Sequence, residues 1–163
     1  NSLCWFIIRM SEIWAVPTWV FFHTIAEKIN EGFLKNNATN VLIFIKLVCN
    51  NLPCPHCREH ASHYLSQVKP HHIDTKEKLK DLFFTFHNDI NGRLRKPIFQ
   101  KKNLAKFKNG RLDVIYRLFI FGLTKKYGQT LLPGVIMRTL RRKNAGNQIK
   151  KWCEQNWASL QGF

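Results

Sequence analysis

The sequence predicts an all-α protein, on three observations. Apolar residues recur at intervals of three and four along most of the chain, no stretch shows the Val/Ile/Thr alternation of strands, and Pro, Ser, Thr and Asp fall where helices would start or stop. With 45% hydrophobic residues, a 163-residue chain can build a real core, which argues against disorder. Thirteen Phe and five Trp against three Tyr suit a helical interior that also holds something flat.

The first predicted helix runs from Ser11, a candidate cap, to Glu31, carrying Ile13, Trp14, Val20, Phe21, Ile25 and Ile29 at helical spacing, with Pro17 starting or kinking its main part. A second spans Ala38 to Cys49 and ends in Asn50-Asn51-Leu52-Pro53. The third starts at Cys54, tolerates Pro55 in its first turn and continues to about Val68, followed by a loop at Pro70, His71 and His72. A fourth, capped by Asp74 or Thr75 with Glu77 in its first turn, carries Leu79, Leu82, Phe83, Phe86, Ile90 and Leu94 inward and stops before Pro97. Beyond it come a short segment near Asn103–Lys108, an apolar helix over Leu112–Leu123, another over Pro133–Arg142, and a last one over Gln148–Leu160, with Leu112, Ile115, Leu118, Phe119 and Leu123 expected to pack inward and Arg138, Arg141, Arg142, Lys150 and Lys151 to face outward.

The net charge of +16 is unevenly spread, since residues 93–163 hold 17 basic and 2 acidic residues and residues 1–92 hold 9 and 8. Either the second part meets a polyanion (nucleic acid, anionic membrane or an acidic protein), or a lysine-rich bias has made a soluble basic face. Five cysteines are too few for a stapled secreted scaffold, and their odd number leaves one over, so redox or metal chemistry fits better. No apolar stretch reaches the roughly 18 residues that span a bilayer. The apolar opening Leu3–Ile8 reads as packing or as the remnant of a boundary.

Cys54-Pro55-His56-Cys57 is a C-x-x-C at a predicted helix start, where backbone N–H groups and the helix dipole stabilise thiolate. Such a pair closes a disulfide or binds a metal. Zinc held with His60 and His63 is the weaker reading, because Cys54 and His63 stand nine positions apart, roughly 13 Å along one helix, too far to share an ion.

Three segments in order then resemble one family. Trp19 to His23 resembles the W-x-x-x-H of the first helix of Erv/ALR sulfhydryl oxidases, Leu52 to Cys57 their C-x-x-C, and His87-Asn88-Asp89-Ile90-Asn91-Gly92-Arg93-Leu94-Arg95-Lys96-Pro97 their H-N-x-x-N-x-x-L-x-K-P. The resemblance covers about residues 11–100. It implies a four-helix bundle holding FAD with a short fifth helix, and a homodimer. It also implies a core over residues 1–100, leaving residues 101–163 as a basic helical C-terminal extension. Cys54 and Cys57 are then the catalytic pair, with Cys54 the interchange thiol and Cys57 next to the flavin. Trp19, His23, Cys57, His87, Asn88, Asn91, Leu94 and Lys96 are the implied cofactor contacts. The spacing agrees, since His87, Asn91 and Leu94 share one helix face, as do Trp19 and His23.

The resemblance further implies that thiol-containing proteins are oxidised and electrons pass to oxygen, giving hydrogen peroxide. The chain departs from many members in three ways. It lacks the extra cysteine before the fourth-helix histidine, having Thr85 and Phe neighbours there. It has no second C-x-x-C, only Cys4 and Cys153 lying outside the core as a conceivable shuttle. It also carries the basic extension. Cys49 reads as a buried core thiol. The compact forms it resembles are those of large DNA viruses, which implies the virion or infected-cell cytoplasm. The mitochondrial intermembrane space or secretory pathway is the alternative. Competing classes are a basic helical binding protein that meets an acidic partner or polyanion through residues 93–163, and a zinc module.

Overall fold

In the computed structural model, residues 2–127 and 133–163 are described, residues 2–11 by backbone alone. Seven α-helices follow in order: α1 Ser2–Lys28, α2 Glu31–Cys49, α3 Pro55–Ser66, α4 Lys76–Arg93, α5 Leu112–Thr124, α6 Pro133–Gln155 and α7 Trp157–Leu160. Short 3-10 turns lie at Pro70–His72 and Lys101–Asn109, and no strand occurs among the described residues, so the predicted class holds.

Several boundaries differ from the sequence reading, each for a local reason. Helix α1 begins at Ser2, so Ser11 lies inside it rather than capping it, and the side chains of Leu3–Ile8 fall outside the described residues. Helix α2 starts at Glu31 because the Asn30 side chain accepts the Phe33 N–H at 2.8 Å, and Asn37 leaves helical geometry within it. Thr75, not Asp74, caps α4 by accepting from the Lys78 N–H. The two helices expected over 133–142 and 148–160 are one helix to Gln155, because nothing in the Lys143–Asn147 segment breaks it; only Asn156 interrupts before α7.

Helix α1 is the central element, packing against α4, α5 and the 3-10 turn at Lys101–Asn109. It runs on through Pro17, whose missing N–H leaves the Ile13 carbonyl without its usual helical donor. At that place α5 presents Gly122, so closely that a Cβ there would collide with the Ile13 carbonyl. Thr18, one step on, donates its hydroxyl to the Trp14 carbonyl at 2.6 Å. Phe21 from α1 stacks face to face on Phe119 from α5, ring centroids 4.3 Å apart.

The described residues after 100 are built into the same core. Leu112, Phe119, Ile120, Leu123, Ile149, Cys153 and Leu160 are buried in one cluster with Phe21, Phe22, Phe44 and Phe83. Leu118, expected on the buried stripe of α5, is instead 54% exposed with Val114 and Phe121, because α1 covers only the Phe119–Leu123 side. No helix among the described residues is long and apolar enough to cross a membrane.

Candidate active site

Cys54 occupies the N-cap of α3 in extended geometry, and its sulfur accepts the Cys57 N–H at 3.2 Å. Pro55 supplies the first helical residue, where no N–H is needed. Cys54 and Cys57 form a disulfide, with Cα atoms 5.2 Å apart, at the positive end of the helix dipole. Both are partly buried against the core rather than covered by it.

Helix α3 is tied to α4 at three points. His60 pairs with Asp89 at 2.7 Å, the Tyr64 hydroxyl meets that of Thr85 at 3.1 Å, and the Tyr64 ring stacks on Phe86 with centroids 4.5 Å apart. Thr85 thus gives a hydrogen bond between the two helices. On its other side Phe86 meets Trp19 edge to face at 5.4 Å, which links the disulfide helix to α1.

Around Trp19 the structure assembles an aromatic cluster from distant parts of the sequence. Trp19 stacks in parallel on His87, centroids 4.2 Å apart, and the His23 Nε2 lies 3.0 Å from the His87 Nδ1. Phe99 and Phe107 stack on His23 at 5.2 and 5.0 Å, and Phe99 also stacks on His87. Burial, then the neighbouring His87 and Lys106, push the His23 pKa down to about 3. Burial and then Lys96 lower that of His87 to about 4. Both rings are neutral at physiological pH.

Of the other predicted contacts, Asn91 is buried, and its backbone carbonyl accepts the Lys96 N–H at 2.8 Å. Asn88 spends its amide on the backbone of Phe99, accepting the Phe99 N–H at 2.8 Å and donating to its carbonyl at 3.1 Å. Leu94, expected inward, is 56% exposed as the C-cap of α4. Lys96 is exposed but its field reaches His87.

Three residues of the cluster do not stand out in the sequence. Phe99 and Phe107 lie beyond the third motif and gain their position only because the chain reverses after α4. Arg95 adopts a left-handed backbone, φ 53°, while the Lys96 N–H bonds to the Asn91 carbonyl at 2.8 Å and the Arg95 N–H to that of Gly92 at 3.2 Å. Lys106 then lies over both phenylalanine rings, 5.8 and 5.4 Å from their centroids.

A flat ligand with an anionic linker fits these residues. The His23 Nδ1 is buried with no partner, Asn91 is buried on the same helix as His87, and Lys96 and Lys106 bring positive charge to a wall of aromatic faces. Trp19 and His87 already touch each other, so a planar group meets an outer face of the stack rather than entering between these two rings.

The profile of the Erv1 / Alr family matches residues 16–110, more than half of the sequence and all of the elements just described. The chain belongs to the Erv1/Alr family. Among its relatives, the FAD-linked sulfhydryl oxidase of African swine fever virus (isolate Warthog/Namibia/Wart80/1980) is 29% identical over 115 residues, 71% of this chain and 93% of that protein. The putative FAD-linked sulfhydryl oxidase 096R of Invertebrate iridescent virus 3 is 28% identical over 94 residues, 57% of this chain, and the match spans 64% of the viral protein's length. The putative FAD-linked sulfhydryl oxidase 347L of Invertebrate iridescent virus 6 is 29% identical over 103 residues, 58% of this chain and 91% of that protein. No solved structure matches the chain. The Erv1/Alr match stops at residue 110, so α5, α6 and α7 lie beyond it.

Cys49 and Cys153 stand apart from this chemistry. Cys49 and Cys153 are fully buried, and burial pushes both thiols up to about 12. Cys153 as folded therefore cannot reach a client, and the side chain of Cys4 lies outside the described residues.

Proposed function

We propose that this Erv1/Alr protein is an FAD-dependent thiol oxidase that makes disulfides in protein substrates through Cys54 and Cys57 and passes the electrons to oxygen. The observation that carries the reading is the Cys54–Cys57 disulfide at the N-terminus of α3, tied through Tyr64 and Phe86 to the Trp19–His87 cluster. The names of the viral relatives support it.

A client thiolate attacks the Cys54 sulfur, the Cys54–Cys57 bond breaks, and Cys57 leaves as a thiolate stabilised by the α3 dipole. A second client thiol then displaces Cys54 from the mixed disulfide, so the client loses two electrons and two protons and the enzyme holds a dithiol. Bound FAD supplies the acceptor for that electron pair and its relay to oxygen, with hydrogen peroxide as the product. Trp19, His23, His87, Phe99 and Phe107 offer the apolar faces for the cofactor, the unpartnered His23 Nδ1 and the Asn91 amide the polar groups, and Lys96 and Lys106 the countercharge for its pyrophosphate. Asn88 acts one step back, by holding Phe99.

Homodimerisation belongs to the same proposal. The outer face of α5 leaves Val114, Leu118 and Phe121 exposed at i, i+4 and i+7, a stripe that a second copy would cover. The similarity to viral proteins supports action in the virion or the infected-cell cytoplasm. The test is an absorption spectrum: the purified protein is yellow, or becomes so on adding FAD, and consumes oxygen with dithiothreitol. A folded, colourless protein that cannot be loaded with FAD overturns the reading.

A further inference from the structure

Helix α6 carries apolar residues on two sides, and the fold covers one of them. Toward the core it turns Ala145, Gly146, Ile149 and Cys153, with Arg142, expected to face outward, among them at 7% exposed. The Arg142 guanidinium donates to the Lys125 carbonyl at 3.4 Å and lies over the Tyr127 ring, 5.3 Å from its centroid, which accommodates a cation on the inward side. At about 3.6 residues per turn, the trio Ile136, Met137 and Leu140 is centred roughly half a turn round the helix from that side. These three side chains are left 45%, 66% and 49% exposed.

Cations frame this outer stripe. On a helix, residues three and four apart are neighbours, so Arg141 stands beside Met137, Lys143 beside Leu140, and Arg138 beside Arg141. All three cations are exposed, and none of the ion pairs among the described residues uses them. Residues 114–153 hold nine basic residues and no acidic one, so the chain supplies no counterion nearby in sequence. An outward apolar stripe edged with unpaired cations is the face of a helix that lies on an anionic membrane surface. A second copy of the chain would set the same cations against these, and a nucleic acid would leave the three apolar side chains without an apolar partner. An acidic protein would need a groove shaped to this convex surface, whereas a bilayer offers phosphates and hydrocarbon together to any helix laid upon it.

We propose that the first half of α6, residues 133–143, is a peripheral docking face for an anionic bilayer. Ile136, Met137 and Leu140 enter the headgroup boundary, and Arg138, Arg141 and Lys143 meet the lipid phosphates. The inference does not depend on the thiol-oxidase reading, since neither the disulfide nor the aromatic cluster takes part. It assigns part of the surplus charge of residues 93–163 to holding the protein at a membrane surface rather than to solubility.

The experiment is flotation of the purified full chain, supplemented with FAD, with vesicles of phosphatidylcholine alone or of an equal mixture with phosphatidylserine. At physiological salt the wild type binds the mixed vesicles at least about tenfold more strongly than the neutral ones. Arg138→Glu/Arg141→Glu removes that gap, whereas Lys102→Glu/Lys108→Glu, an equal change of charge at exposed positions of the Lys101–Asn109 turn, keeps most of it. Met137→Ser/Leu140→Ser lowers binding to the mixed vesicles about tenfold with the charge untouched. Circular dichroism checks that each variant keeps its helix content, and if the double serine variant does not, Met137→Ser alone is used and lowers binding severalfold. Equal binding of wild type to both vesicles overturns the proposal. So does a folded serine variant that binds as wild type, or an equal loss in the two charge variants, since either result describes general adsorption of a basic chain. A dimer in sedimentation velocity that dissociates in the serine variant assigns the stripe to a second copy and overturns it as well. Polyglutamate whose binding also weakens in the serine variant overturns the choice of a bilayer over an acidic protein.

Discussion

Asn88 holds Phe99 through both backbone groups, accepting its N–H at 2.8 Å and donating to its carbonyl at 3.1 Å, eleven residues away across the reversal that follows α4. The pair of bonds places the Phe99 ring on His23 and His87. An asparagine that resembles a cofactor ligand in the sequence is therefore the clamp that shapes one wall of the site.

Asn88→Ala should therefore free the segment after Pro97. Losing two hydrogen bonds costs about 1–3 kcal/mol, and the loss should appear chiefly as weaker flavin retention. The check is the FAD dissociation constant by fluorescence alongside the helix content by circular dichroism. Unchanged retention would show that Phe99 keeps its place without Asn88.

Arg95 sits at φ 53°, a conformation that costs a non-glycine residue about 1 kcal/mol or more. Arg95→Gly is expected to raise the thermal midpoint by a few degrees without disturbing the turn that returns the chain to α4. A lowered midpoint would mean that the Arg95 side chain contributes more than its backbone costs.

Helix α5 depends on the absence of a side chain at Gly122. A Cβ there would collide with the Ile13 carbonyl and come within 2.9 Å of the Trp14 Cα, so Gly122→Ala should cost about 1–3 kcal/mol. Gly92 is the contrast, since a Cβ there meets nothing within 4 Å, and Gly92→Ala should be neutral or gain up to about 1 kcal/mol. Urea unfolding of the two variants side by side reads the difference, and equal effects would refute the close α1–α5 contact.

The histidine pair makes stability depend on pH with a definite sign. In the unfolded chain both rings titrate near 6.5, whereas in the fold His23 is held down at about 3 and His87 at about 4. Between these values the unfolded chain binds protons that the folded one does not. The pair's contribution is thus complete above pH 6.5 and lost as pH falls toward 4, at up to about 1.4 kcal/mol per pH unit for each ring. Urea midpoints should drop from pH 7 to pH 5, and His87→Gln should flatten that slope. An unchanged slope in the variant would remove His87 from the argument.

Much of this was legible in the sequence, and what was not has physical reasons. Periodicity and turn residues located the elements, and the three motifs brought Trp19, His23, His87, Asn91 and the cysteine pair to the region they share. Leu94, expected inward, is exposed and Arg142, expected outward, is buried, because helical spacing says which residues share a face but not which neighbour covers it. Phe99, Phe107 and Lys106 were hidden because their place depends on a left-handed turn at an arginine, which carries no glycine signal. The single long α6 runs through Gly146, a residue that disfavours helix interiors, and Gly146 is buried there where a Cβ would meet the Thr124 methyl.

The most direct measurement is the stoichiometry of hydrogen peroxide formed per disulfide made in a thiol substrate, for wild type and for Cys57→Ser with equal flavin content. The mechanism predicts one peroxide per disulfide in wild type, and in Cys57→Ser a protein that stays yellow but forms neither. Peroxide and disulfide production that persist in Cys57→Ser, with FAD still bound, would contradict the assignment of Cys54 and Cys57 as the redox centre.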